Sequence, residues 1–347
     1  MTQSPPDPPQ PLPANHSRIR AWVFASAILV LLVGAIGIFI ADRKSSFNNQ
    51  PGPLAEETTI LVERGLSVRQ VAAKLEEARV IDDAWLFEVG VRFFADKKPI
   101  KAGEFSIPPA ATMAGVLETL QTANPVQYRM LIREGITVSE ALDIVRADDR
   151  LVGEIEGTYE EGRLLPDTYY FVRGEARDVL LKRMAKALDT VLAEAWDTRT
   201  DKDNLQTPEE LLVMASIIEK ETSRDREKHL VSGVFHNRLS KGMRLQSDPT
   251  VIYGIAQGPL GRSLKRKDVT TATPYNTYTI DGLPPGPIAL SSKASIMAAG
   301  QPAETEALFF VVDGNGGHVF AKTYAEHRRN IKKWLDARRA RRAKKAQ

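Results

Sequence analysis

The order of apolar and polar positions divides the chain into stretches of different character. From Ala21 to Ala41 the sequence AWVFASAILVLLVGAIGIFIA carries no charge. Its twenty-one residues, rising ~1.5 Å each, reach about 31 Å, the hydrocarbon thickness of a bilayer. This predicts a transmembrane helix rather than a cleaved signal peptide, whose apolar core is shorter. Arg18 and Arg20 on one side nearly balance Arg43 and Lys44 on the other, so flanking charge alone leaves the orientation open. Residues 1–20 form a tail whose Pro-rich first fifteen residues are expected to be disordered. Residues 42–57, which contain SSFNNQPGPLAEE, are expected to be a linker.

Beyond the linker the apolar period alternates between strand and helix. Ile60–Val68 (ILVERGLSV) and Met130–Val138 (MLIREGITV) match one another seventy residues apart. Each predicts a short strand, a turn at Gly65 or Gly135, and a Ser67 or Thr137 N-cap opening an amphipathic helix, over 67–77 and 137–147. A strand at 101–108 and a helix at 112–121 fall between them. The pattern predicts a small α+β module over 58–150, and its first copy looks like a LysM-type motif, a fold associated with N-acetylglucosamine polymers. A strand-helix unit serving only as scaffold accounts for the same residues.

From 151 to 337 the helical pattern dominates. An extended segment, Leu164–Phe171, precedes helices at about 176–197, from Pro208, and at about 225–241. Leu308–Asp313 and His318–Lys322 flank Gly314-Asn315-Gly316-Gly317 as a hairpin. A last helix starts near Thr323. The whole predicts an α+β fold: one N-terminal transmembrane helix, a LysM-like module and a mixed α+β domain.

Charge is uneven. Residues 328–347 hold ten Lys or Arg and one Asp, a net +9, whereas the rest carries −6. The run from Arg338 to Gln347 stands outside the globular region and lacks interleaved aromatics, which argues against nucleic acid as a partner. The absence of cysteine excludes disulfides, thiolate catalysis and Cys-ligated zinc. No Ser-x-x-Lys occurs, and the five histidines form no His-Glu-x-x-His, which argues against a serine transpeptidase and a metallohydrolase.

The segment Leu211–Thr222 (LLVMASIIEKET) carries the strongest chemical signal. Thr207, Pro208 and Glu210 open its helix as N-cap, first helical residue and capping-box partner. At about 100° per residue, Glu219 falls close to Leu212 and Ala215 on an apolar stripe. Burial there, and the negative end of the helix, would raise its pKa toward that of a general acid. A Glu frayed into solvent beside Lys220 is the alternative on these residues alone. Downstream, Gln246, Asp248, Tyr253, Tyr275, Asn276 and Tyr278 lie among Pro-fixed loops and offer the amides, carboxylate and amphipathic rings that sugar binding uses.

ASIIEKET, MRLQSDPTVIYG, YNTYTIDGLPPGPI and FFVVDGNGGHVF, in this order and spacing, resemble the endolytic murein transglycosylase, or YceG-like, family. The close resemblance covers about residues 205–325. It implies a lyase that cuts the MurNAc–GlcNAc β-1,4 bond inside peptidoglycan strands, leaves 1,6-anhydro-MurNAc ends and terminates strand elongation. It puts Glu219 on the essential acid, and Gln246, Asp248, Tyr253, Asn276 and Tyr278 in motif blocks assigned to the cleft. It implies no cofactor and no metal. Its implied location is the cytoplasmic (inner) membrane, N-terminus inside and catalytic domain outside, with the glycan polymerases (penicillin-binding proteins) as partners. A non-catalytic glycan-binding scaffold and a two-carboxylate hydrolase pairing Glu219 with Asp248 are the competing readings.

Overall fold

The computed structural model describes residues 16–200, 203–314 and 316–345, so the segment expected to be disordered, 1–15, lies outside them. The chain forms two compact units that divide at Val126/Gln127 rather than at the expected boundary of 150. In the first unit, α1 (His16–Asn49) is followed by β1 (Thr58–Val62), α2 (Val68–Glu77), α3 (Ala84–Phe93), β2 (Gly103–Ile107) and α4 (Met113–Thr122). β1 and β2 pair antiparallel, from Thr58↔Ile107 to Val62↔Gly103, and close a β-α-α-β unit. Its core contains Val71, Leu75, Phe87, Phe105, Val116 and Leu120.

The stretch expected to be linker is helical for its first eight residues, 42–49, because α1 continues unbroken from the apolar run. Phe47 explains this extension. It is 1% exposed and packs on Phe87 and Phe94 at ring-centroid distances of 6.3 and 6.1 Å. An aromatic ring buried on that scale favours helix over a solvated tether.

The second unit begins with β3 (Gln127–Leu131), α5 (Val138–Ala147), β4 (Thr168–Val172), α6 (Arg177–Asp197) and α7 (Pro208–Glu221). It continues with α8 (Asp225–Ser240), α9 (Asp248–Ala256), α10 (Arg266–Thr270), α11 (Lys293–Gly300), β5 (Phe309–Val312), β6 (His318–Ala321) and α12 (Tyr324–Lys345). β3 pairs antiparallel with β4, so the second copy of the repeat joins this unit and not the first. The local chemistry of the two copies is nonetheless the same. Gly65 and Gly135 both take positive φ, and Ser67 and Thr137 both close capping boxes, with Gln70 and Glu140.

The hairpin forms as β5–β6, from Phe309↔Ala321 to Val312↔His318. One core gathers on β3, β4, α5 and α6. A second surrounds α7, whose nine residues from Leu211 to Glu219 are all buried. α12 carries the basic tail forward as helix to Lys345.

Gly90 of α3 faces the Phe47 ring, and a Cβ there would lie 2.2 Å from two of its carbons. Replacing a mid-helix Gly by Ala ordinarily stabilises by about 1 kcal/mol. Here overpacking, costing about 1–3 kcal/mol, outweighs that gain. Gly90→Ala should therefore lower stability, read as a reduced midpoint in chemical denaturation of the detergent-solubilised chain.

Candidate active site

α7 is built as its sequence demands. Thr207 accepts the Glu210 N–H at 3.1 Å, and Pro208 occupies the first turn. The capping box is displaced by one residue, because the Glu210 carboxylate takes the Gln206 N–H instead.

The far end of this helix carries two carboxylates with opposite surroundings. Glu219 and Glu221 lie two residues apart, about 200° around the axis, and so point to nearly opposite sides. Glu219 points inward, with 5% of its side chain exposed. Its Oε2 accepts the Ser292 N–H at 3.0 Å, the Ser292 hydroxyl, the Ser295 hydroxyl at 2.7 Å and the Lys228 ammonium at 3.4 Å. Lys228 is itself buried and donates to Ser292 Oγ at 2.8 Å. Ser292 is the N-cap of α11, so the positive end of that helix also faces the carboxylate. Glu219 lines none of the three cavities found in this unit. The sequence placed it as the acid in the cleft. Its stripe leads toward the core, and all four of these contacts fall on Oε2.

Glu221, which the sequence reading passed over, opens onto a cavity of about 280 Å³, together with Gln246, Asp248, Tyr278, Arg238 and His327. Burial pushes its carboxyl up to about 7, and the charge of Asp248 adds to this, while Ser247 and Arg238 pull the other way. Ser247 donates its hydroxyl to Glu221 at 2.5 Å. That serine is held by a buried hydroxyl network. Its N–H donates to Thr277 Oγ1 at 2.9 Å, and its carbonyl accepts the Thr250 hydroxyl at 2.7 Å.

Gln246, with φ +53, turns the chain into α9 and accepts from Arg238 Nη1 at 3.3 Å. Tyr278 donates to Asp248 Oδ1 at 2.7 Å, and its phenol is pushed up, chiefly by burial and then by that hydrogen bond. Arg238 is pinned by the Leu308 carbonyl at 2.7 Å and by the Arg244 and Leu245 carbonyls at 3.0 Å each.

Three of the five residues expected to bind sugar, Gln246, Asp248 and Tyr278, therefore meet around one cavity. The other two do not. Asn276 is fully buried. Its amide donates to the Val269 and Thr271 carbonyls at 3.0 and 2.7 Å, and its Oδ1 accepts the Tyr278 N–H at 2.9 Å. It shapes the loop that presents Tyr278. Tyr253 packs edge-on against Tyr275 at 4.9 Å and donates to Glu161 at 3.4 Å. It lines a separate cavity of about 370 Å³ with Lys220 and Arg262.

A carboxyl that keeps its proton near neutrality, oriented by a buried serine and backed by a second carboxylate, is equipped for acid–base chemistry on a polar substrate. The comparisons fit that class of site. The YceG-like family matches residues 60–333, and the chain belongs to this family. It is 37% identical over 179 residues to a Bacillus subtilis protein named endolytic murein transglycosylase, covering 51% of this chain and 49% of that one. A Streptococcus pneumoniae protein of the same name is 26% identical over 377 residues, covering 93% of this chain and 66% of the relative. The matches thus span about half to two thirds of those relatives' own lengths. A crystal structure of a yceG-like protein from Listeria monocytogenes superimposes with a TM-score of 0.51 at 30% identity, over 79% of this chain and 98% of that one.

Because folding raises the Glu221 pKa from 4.5 to about 7, the protonated form favours the native state. That contribution is complete below about pH 4.5 and is lost as pH rises through about 7. Glu221→Gln removes the titration. Its stability should gain on the parent protein between these limits, reaching up to about 3 kcal/mol above pH 7. Denaturation of both proteins from pH 4 to 9 measures the gap; one that narrows with rising pH contradicts the assignment.

Proposed function

We propose that the protein is an endolytic peptidoglycan lytic transglycosylase and that Glu221, two residues beyond Glu219, acts as an acid–base residue of its site. The observation that carries the reading is the Glu221 carboxyl, raised to about 7, in a cavity shared with Gln246, Asp248 and Tyr278. The names of the relatives and the family membership support the substrate class.

In this mechanism protonated Glu221 donates its proton to the oxygen joining MurNAc C1 to the next GlcNAc. The C1–O bond breaks and leaves an oxocarbenium-like centre on the muramoyl ring. Asp248, which accepts the Tyr278 hydroxyl, stabilises the positive charge. Glu221, now a carboxylate, removes the proton from the muramoyl C6 hydroxyl. O6 bonds to C1, giving the 1,6-anhydro end and returning Glu221 to its acid form. Ser247 holds the carboxyl in line through both proton transfers. One group acting in turn as acid and base needs a pKa near the working pH.

The N-terminal apolar helix, Trp22–Asn49, is long enough to cross a bilayer. As a membrane anchor it would keep the catalytic unit beside strands newly made by glycan polymerases. The β-α-α-β order of residues 58–107 supports reading that unit as a LysM-like glycan contact.

The placement of Asp248 in the Glu221 cavity also favours a second reading, a two-carboxylate hydrolase, in which Asp248 activates water. Mass spectrometry separates the two. Anhydro-ended fragments are one water lighter than reducing ends. Glu221→Gln should reduce release of anhydro-ended fragments by about 10²–10⁴-fold, with the fold retained by circular dichroism. The parent rate should fall as pH rises above about 7, when the acid is lost. Unchanged anhydro-product release by the Gln variant would overturn the assignment of Glu221; reducing ends alone would favour the hydrolase.

A further inference from the structure

α1 runs without a break from the apolar span into the core of the first unit, and the position of that junction has a physical consequence. The charge-free run ends at Ala41, followed by Asp42, Arg43 and Lys44. Phe47 lies six residues beyond Ala41, which is about 9 Å along a helix. At that level α1 packs on α3, where Phe87 and the C-cap Phe94 meet Phe47 tilted and edge-on and Gly90 gives its ring room. The interfacial layer on each side of the hydrocarbon is about 5–8 Å deep, and a helix with its side chains is about 10–12 Å across. If α1 spans the membrane, α3 has no tether by which to leave the headgroup region.

α3 is equipped for that position. Trp85 and Phe93 are 58% and 69% exposed, the two large aromatics of the first unit left uncovered outside α1. Trp85 lies about 140° and Phe93 about 60° around the axis from Gly90, and the two are eight residues apart, which is about 12 Å along the helix and 80° around it. Arg92 sits between them with its guanidinium 5.5 Å from the Phe93 ring centroid. Lys97 and Lys98 follow within one turn of chain, both exposed, and Lys98 pairs with the exposed Asp96 at 3.5 Å. Isolated exposed apolar side chains are common on protein surfaces. Two large rings on one helix at headgroup height, with Arg92 and Lys97 nearby, match the aromatic belt of a membrane interface.

We propose that α3 is a second membrane contact: Trp85 and Phe93 insert into the headgroup region of the bilayer crossed by α1, and Arg92 and Lys97 meet anionic headgroups. The first unit is then seated on the lipid surface. This rests on the reading of α1 as an anchor, and the experiment separates the two.

The chain contains no cysteine, so a single nitroxide can be placed at will. Full-length protein carrying Trp85→Cys, Phe93→Cys, Ile38→Cys or Arg64→Cys is labelled and reconstituted into vesicles of neutral or partly anionic lipid. Collision of each label with oxygen, which concentrates in lipid, is compared with collision with a water-soluble nickel chelate. Ile38 reports the apolar span, and Arg64, in the exposed turn after β1, reports water. Labels at 85 and 93 should give oxygen-to-nickel ratios several-fold above that at 64 and below that at 38, with a further rise in anionic vesicles. A lipid-like ratio at 38 with water-like ratios at both 85 and 93 overturns the second contact while leaving the anchor. A water-like ratio at 38 overturns the anchor, and the proposal with it. Both α3 positions are exposed, so the labels do not disturb the core, and thermal melts matching the parent protein verify this.

Discussion

The second unit depends on one buried carboxylate. Glu219 gathers the Lys228 ammonium from α8 and the Ser292 N–H and two serine hydroxyls from the start of α11, all at the last turn of α7. Removing one partner of such a buried pair typically costs about 3–5 kcal/mol, because the other is left uncompensated. The pair thus fixes where α7 stops and which way its end faces. Glu221, two residues on, is delivered to the opposite side by helical geometry alone. The neighbouring cradle continues the same logic. Ser247, Thr250 and Thr277 hydrogen-bond to one another in the core, and Ser247 turns its hydroxyl onto Glu221. The Glu221 carboxyl therefore stands on a hydrogen-bonded polar base, which is what keeps such a group in one geometry.

Much of the local architecture was legible from residue pattern. Thr207 and Pro208 opened α7, Gly314–Gly317 joined β5 to β6, and the two Gly-then-hydroxyl turns formed as their chemistry requires. What escaped was the partnership of these pieces. The repeat has two copies with the same caps, but β1 pairs with β2 and β3 with β4, so an apparent module over 58–150 is divided between two units. Strand partners are long-range choices that a local match does not encode.

The site was legible to the same degree. Gln246, Asp248 and Tyr278 converge because two Pro-bearing loops meet at the end of α7. Asn276 has the same polar character and comes from the same motif, yet its amide is consumed by backbone carbonyls. The choice between Glu219 and Glu221 turned on one step of reasoning. An apolar stripe was read as a sheltered wall of a cleft, whereas α7 is covered on every side until its last turn.

With α1 as a membrane anchor, its continuity from the apolar span into the first unit would make that unit sensitive to bilayer thickness. A spanning helix accommodates a thinner or thicker hydrocarbon layer largely by changing its tilt. With Phe47 locked between the rings of α3, a change of tilt would rotate the whole β-α-α-β unit through the same angle. Lipid composition would then set the attitude of the fold above the membrane, with no ligand and no conformational switch involved.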